Sequence, residues 1–191
     1  MTQMIVILVS AVLVNNFVLA RFYGICSFLG VSNKLSSSVG MGAAVTFVMV
    51  MATLATYPLY TYVLVPLGIT YLDNMSFVVV IALLVQIVEM VLKKYMPPLY
   101  RALGVYLPLI VTNCAVLGVA FLNITNEYSY VESLVYSAGA GLGFLIAMVL
   151  FSGVRSRIEE ADVPAAFKGV PATLIAASIT ALSFAGFGGM V

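Results

Sequence analysis

The chain has 191 residues, 63% of them hydrophobic and only 8% charged, with a formal net charge of +1. Soluble domains carry about 25% charged residues, so the composition excludes a soluble globular domain, and the absence of a basic tract leaves no footprint for nucleic acid. There is no histidine, which removes histidine-ligated haem, the usual histidine-bearing zinc sites and a histidine proton relay.

Six apolar segments follow in order, roughly 4–31, 39–64, 75–92, 103–122, 130–152 and 170–189, each near the ~20 residues that cross a bilayer. The N-terminus lacks a positive start and an Ala-x-Ala site, so no cleaved signal peptide is expected. The first segment would reach ~42 Å as one helix against a ~30 Å hydrocarbon core. It also holds Asn15, Asn16, Arg21 and Gly24, and a break is expected between Arg21 and Gly24. The second segment ends in Tyr57-Pro58-Leu59-Tyr60-Thr61-Tyr62, followed by Pro66 and Tyr71, a pattern suited to the membrane–water interface. The third carries Gln86 and Glu89 just before Lys93 and Lys94, close enough for Glu89 to snorkel outward.

The fourth segment contains Pro108 and then Thr112-Asn113-Cys114. Proline removes an internal hydrogen bond and the polar pair can satisfy the freed carbonyls, so a second broken helix is expected there. The fifth opens with Gly139-Ala140-Gly141-Leu142-Gly143. Phe144 stands where a dinucleotide fingerprint needs its last glycine, and no strand precedes it, so these small residues are expected to let helices pack closely. The same holds for Gly40 and Gly42, and for Ala185, Gly186, Gly188 and Gly189. Arg155 to Lys168, which contains Pro164, is expected to form an interfacial loop or short helix.

The segments fall into a repeat. Cys26-Ser27-Phe28-Leu29-Gly30-Val31 and Cys114-Ala115-Val116-Leu117-Gly118-Val119 share C-x-x-L-G-V, and Ser38-Val39-Gly40-Met41-Gly42 is answered by Ser137-Ala138-Gly139-Ala140-Gly141. Seven of the eight cationic residues lie in odd-numbered loops: Lys34; Lys93, Lys94 and Arg101; Arg155, Arg157 and Lys168. The positive-inside rule places those loops in the cytoplasm and both termini outside. Three spans per half force the halves into opposite orientations. The expected fold is therefore all-α: a single membrane domain, 1–191, with inverted repeats of about 1–95 and 96–191. It has six transmembrane helices, the first and fourth broken near the membrane middle, an architecture typical of transporters.

Cys26 and Cys114 are the only cysteines, they are repeat-equivalent, and they sit at the expected breaks, where backbone amides are free. A buried cysteine is usually a small hydrophobe. These two also supply half the thiolates of a two-iron cluster, which usually takes four; a tetrahedral metal site or a redox disulfide would be competing uses. Arg21, ionised within a span, is costly there. It either offsets the charge of such a cluster or caps carbonyls and pairs with a neighbouring acid. No Asp or Glu stands near the middle of a span apart from Glu89, which is near its span's end, so any ion path would use carbonyls, hydroxyls or a partner.

Several long motifs resemble one family. Val14-Asn15-Asn16-Phe17-Val18-Leu19, Gly24-Ile25-Cys26, the run from Leu107 to Gly118, and Asp162-Val163-Pro164 with Phe167-Lys168-Gly169 are similar to the membrane subunits of the Rnf electron-transport complex, its A-type component above all. The resemblance covers the whole chain. The chain is also similar to the E-type component of the sodium-pumping NADH:quinone reductase, whose equivalent role is the alternative, but the Asn-Asn-Phe-Val-Leu run and Asn113-Cys114-Ala115-Val116-Leu117 look more like the Rnf version. Ser27 stands where many Rnf members have proline. The resemblance implies a membrane subunit of a redox-driven translocase, a ferredoxin:NAD⁺ oxidoreductase that moves sodium ions or protons, in the prokaryotic cytoplasmic (inner) membrane. It implies that Cys26 and Cys114 ligate one [2Fe-2S] cluster shared with a homologous, RnfE-like component of opposite topology, with Arg21, Gly24 and Asn113 as tuning or helix-break residues. The B, C, D and G components complete the complex, and no flavin, nicotinamide or complete active site is expected on this chain. The competing function classes are a secondary transporter with incidental cysteines and a structural membrane scaffold; the latter explains neither Arg21 nor the cysteine pair.

Overall fold

All regular structure among the described residues is helical. The computed structural model describes residues 2–14, 16, 18–32, 35–68, 70–95, 113–164 and 167–186. Helix α1 (Thr2–Val9) continues as a π turn over Ser10–Val14, and α2 spans Ile25–Val31. Helix α3 (Leu35–Leu59) is prolonged by a π turn, Tyr60–Leu64, and an α turn, Val65–Leu67. Then come α4 (Asp73–Tyr95), α5 (Cys114–Thr125), α6 (Tyr130–Glu160) and α7 (Val170–Ala185).

Local chemistry explains most boundaries. Pro58 lies inside α3, where it lacks an N–H and crowds the preceding turn, and the ladder widens to π geometry directly after it. Gly68, with φ +67, closes that stretch. Helix α6 opens on a capping box: the Glu132 carboxylate accepts from the Ser129 backbone N–H at 3.0 Å, satisfying one of the orphan amides of a helix start.

Helix α3 packs along α6 and α1 lies against α6. Glycines set the first spacing: a Cβ on Gly141 would fall 2.8 Å from the Thr46 Cα, and one on Gly42 3.1 Å from the Leu145 Cα. The two backbones are thus in contact, as small residues permit between apolar helices. Gly143 does the same for the π turn after α1, since its Cβ would sit 3.1 Å from the Val12 carbonyl oxygen. The expectation that these glycines pack helices holds at Gly42, Gly139, Gly141 and Gly143 but not at Gly186, where an added Cβ would meet nothing within 4 Å; Gly188 and Gly189 lie outside the described residues. Phe28, Met41, Val45, Met49, Phe144, Met148 and Phe151 form the buried centre, with the Phe28 and Phe151 rings stacked at 4.1 Å.

Helix α4 buries Phe77, Ile81 and Val85, one stripe at four-residue spacing, and exposes Met75, Val79, Leu83, Ile87 and Met90. A long apolar helix open on most of its circumference suits lipid or a partner helix. Among the described residues, three helical stretches are long and apolar enough to cross a membrane, Leu35–Leu67, Asp73–Val91 and Tyr130–Glu160, while Cys114–Thr125 and Val170–Ala185 are apolar but shorter. The first apolar segment is not one helix: α1 and its π turn end at Val14 and α2 begins at Ile25. The break expected at Pro108 lies outside the described residues.

One boundary differs from expectation. Helix α6 runs on to Glu160, past the expected end at 152, so the connection to α7 starts at Ala161 and not at Arg155. Arg155 and Glu159 form an i,i+4 pair at 3.3 Å on the last turns, and Arg155 also reaches back to α2, which holds the extension in place.

Candidate functional site

The site begins with a backbone conformation. Gly24 has φ +85 and is buried, a left-handed geometry that side chains disfavour. A Cβ there would stand 2.7 Å from the Phe144 ring and 3.2 Å from the Asn113 amide oxygen. In this conformation the Gly24 N–H points away from its own helix and donates to the Cys114 Sγ at 3.0 Å.

Both cysteines occupy the first turn of a helix, Cys26 in α2 and Cys114 in α5. Asn113 is the N-cap of α5, its Oδ1 accepting from the Ala115 N–H at 3.0 Å. The same side chain donates through Nδ2 to the Ser27 hydroxyl at 3.3 Å, and that hydroxyl donates to the Gly24 carbonyl at 2.9 Å. The two loops are therefore bonded to each other twice, once through sulfur and once through Asn113 and Ser27. Asn113 is 2% exposed and Ser27 0%, so the polar connection lies beneath the surface. Above it both cysteines are exposed and free. Cys26 lies close enough to Cys114 for the thiols to interact, and the backbone N–H groups of Cys26 and Ser27 face the Cys26 sulfur.

Two further side chains hold this arrangement. Asn16 spans the interval between α1 and α2: its Oδ1 accepts from the Val18 N–H at 3.1 Å and its Nδ2 donates to the Gly143 carbonyl at 2.9 Å. Arg155 donates to the Leu29 carbonyl and, at 2.9 Å, to the Ser32 hydroxyl, capping orphan carbonyls at the far end of α2.

Chemically, two adjacent thiols at helix starts, with N–H groups aimed at sulfur, suit soft metal binding. Among the described residues no group of three or more Cys, His, Asp or Glu is gathered. The donor set thus fits half of a four-thiolate iron–sulfur cluster, and the exposure of both sulfurs leaves room for ligands from outside the chain.

Of the residues singled out in the sequence, Cys26, Cys114, Gly24 and Asn113 come together. Arg21 does not join them. It is exposed, makes no hydrogen bond or ion pair among the described residues, and lies within electrostatic range of the Tyr136 hydroxyl. Sequence reasoning missed Arg155, which it counted only as a loop cation. It noted Ser27 only as a departure from proline; a hydroxyl beside a buried glycine turn was the available signal.

A family model described as "Rnf-Nqr subunit, membrane protein" matches residues 4–191. The chain is 53% identical over 191 residues to the A-type subunit of the ion-translocating oxidoreductase complex of Aliivibrio salmonicida, covering 100% of this chain and 99% of the relative. It is 55% identical over 191 residues to the protein of the same description from Syntrophotalea carbinolica, with 100% and 99% covered. It is 54% identical over 187 residues to the A-type subunit of the Na⁺-translocating ferredoxin:NAD⁺ oxidoreductase complex of Acetobacterium woodii, with 98% and 97% covered.

Proposed function

The chain belongs to the Rnf-Nqr family of membrane subunits, and on that premise we propose that it is the electron-carrying membrane subunit of an ion-translocating ferredoxin:NAD⁺ oxidoreductase. Cys26 and Cys114 hold half of a [2Fe-2S] cluster within the bilayer. A homologous subunit of opposite topology holds the other half, and flavin and nicotinamide sites belong to other subunits of the complex. The cluster supplies one-electron transfer across the low-dielectric layer, coupled to movement of sodium ions or protons. Both termini face the extracytoplasmic side of the prokaryotic cytoplasmic membrane.

The observation that carries this reading is the side-by-side placement of two exposed cysteines at two helix starts joined by the Gly24 N–H to Cys114 Sγ bond. An anionic centre in a water-poor setting needs its charge answered by fixed dipoles. Gly24 supplies one of these, and the first-turn amides of α2 supply others. Asn113 and Ser27 fix the distance between the loops, so this chain's part is to hold two sulfurs ready for a partner.

Visible absorption and electron paramagnetic resonance of the purified complex test the reading. Cys26→Ala and Cys114→Ala should each remove the signal of one two-iron cluster and the electron transfer from ferredoxin to NAD⁺, while flavins remain bound. A single variant that assembles and keeps both the full signal and the activity would overturn it. A secondary transporter with incidental cysteines would show no such bands at all.

A further inference from the structure

Helix α4 starts on Asp73 and carries Lys93 and Lys94 in its last turn, charges that suit the two surfaces of a membrane. Of the three long apolar stretches it is the least covered by its own chain. Only 17% of its most apolar part is buried, against 44% for the stretch from Leu35 and 56% for that from Tyr130. Its buried row is Phe77, Ile81 and Val85. The next row at the same four-residue spacing is Val78, Ala82, Gln86 and Met90. Of these, Val78, Gln86 and Met90 are exposed and Ala82 is half-buried. The back of the helix carries Val79, Leu83 and Ile87, all exposed and all aliphatic.

Gln86 is the anomaly on this surface. It makes no hydrogen bond among the described residues, and its row is otherwise apolar. It stands seven residues before Lys93 and thirteen after Asp73, about 10 Å and about 20 Å along the axis. That depth is inside a hydrocarbon core of ~30 Å. Two methylenes do not carry an amide to the surface from there, whereas Glu89, one turn from Lys93, can snorkel out. Acyl chains offer neither donor nor acceptor, so an amide facing them loses the hydrogen bonds it makes in water. A helix from a neighbouring subunit can supply both. Ala82, one turn before Gln86, leaves a shallow place in the row, and a small residue beside a polar one is the pattern of helix contacts within membranes.

We propose that the row Val78, Ala82, Gln86 and Met90 docks a transmembrane helix of another subunit of the complex, one that presents a neutral hydrogen-bonding side chain to the Gln86 amide. The back of α4, with Val79, Leu83 and Ile87, faces lipid. An amide both donates and accepts, so a hydroxyl or a second amide satisfies it. A charged partner would add its own cost of burial in the bilayer. The inference rests on the reading above that the chain works as one subunit of a complex, but not on the cluster.

Site-directed photocross-linking of the assembled complex in its native membrane tests it. Val78→p-benzoylphenylalanine and Met90→p-benzoylphenylalanine should each form an adduct with an apolar helix of one other membrane subunit, identified by mass spectrometry. Leu83→p-benzoylphenylalanine should form adducts mainly with lipid. Gln86→Leu gives a second test whose sign depends on what faces the amide. Against lipid, leucine is the better residue, and the variant would stay in the complex at least as long as the parent. Against a partner helix, the half-time for release of this chain in excess detergent should shorten about three- to tenfold, the scale of one interhelical hydrogen bond. Neither test needs iron and the cluster signal needs neither test, so the two readings can fail separately. Adducts from Val78 and Met90 only with lipid, within this chain or with a second copy of it would overturn the proposal. Partner adducts as abundant from Leu83, or release of Gln86→Leu no faster than that of the parent, would do so as well.

Discussion

Cys26 and Cys114 both sit in the first turn of a helix, but the two helix starts are made in different ways. Helix α2 opens on Gly24 at φ +85 with no side-chain cap. Helix α5 opens on Asn113 at ψ 110, whose side chain accepts the Ala115 N–H. One loop depends on backbone freedom and on the space left by Phe144; the other depends on an amide side chain. What the two starts share is the outcome, a sulfur at a helix start with amides around it. The difference also lets the loops interlock, since the uncapped loop offers an N–H to the second sulfur and the capping side chain has a donor left for Ser27. The two starts agree in where sulfur and N–H groups end up, and different residues achieve it.

The strongest way to break that arrangement is at Gly24. Gly24→Ala adds a Cβ 2.7 Å from the Phe144 ring at a left-handed backbone position, and should destabilise the chain by roughly 2–4 kcal/mol. Gly153, whose added Cβ meets open space in the middle of α6, is the control: Gly153→Ala should be neutral or stabilising by up to about 1 kcal/mol. Thermal melting of the purified complex reads both. Equal effects of the two substitutions would show that Gly24 is replaceable and that α5 alone organises the site.

The Asn113 loop should give way more gently. Asn113→Ala removes an N-cap and the donor to Ser27, an expected cost of about 1–2 kcal/mol. Asn113→Ser keeps a cap oxygen but cannot reach Ser27 as an amide does, so it should fall between. A cycle with Ser27→Ala sharpens the comparison, because the side chains touch at 3.3 Å and should couple by about 0.5–1.5 kcal/mol. Strict additivity would mean that the loops are held independently.

Much of this was legible in the residues. The composition gave a helical membrane chain, the repeated C-x-x-L-G-V drew attention to Cys26 and Cys114, and polar residues inside an apolar stretch marked the first segment as more than one helix, although the first helix stops at Val14, ahead of the interval between Arg21 and Gly24 where the break was expected. Glycine spacing on α3 and α6 was readable as packing because backbone approach needs the absence of a side chain. Other parts were not legible, for physical reasons. Asn113 and Gly24 showed as break residues, but that one caps and the other donates across the loops depends on long-range geometry, 90 residues apart for the Gly24–Cys114 bond. Arg155 read as one loop cation among several, since only the fold brings α6 against the end of α2. Glu127 drew no reading at all, because a left-handed φ on a non-glycine residue leaves no trace in the sequence.

Arg155 provides the mildest test of the comparison, and one that acts on α2 alone. Its guanidinium donates to the Leu29 carbonyl and the Ser32 hydroxyl and pairs with Glu159. Helix α5 has no such clasp among the described residues; its end is closed by the backbone bonds of Asn126, Glu127 and Tyr128. Arg155 is 17% exposed but Glu159 is 57% exposed, so the ion pair itself contributes little. The main effect is a cation on the negative end of a short helix, about 0.3–1 kcal/mol. Arg155→Met keeps the aliphatic stem that packs beside α2 and removes the charge, so amide exchange within Phe28–Val31 should quicken by roughly two- to fivefold, the equivalent of that energy. Arg155→Lys should recover the charge term but not the forked contact to two oxygens, and its exchange should lie between the two. Exchange in α5 should not change in either variant. If α2 is equally protected in Arg155→Met, the stack of Phe28 on Phe151 holds the cysteine helix without help from its far end, and the first loop is less dependent on distant contacts than its uncapped start implies.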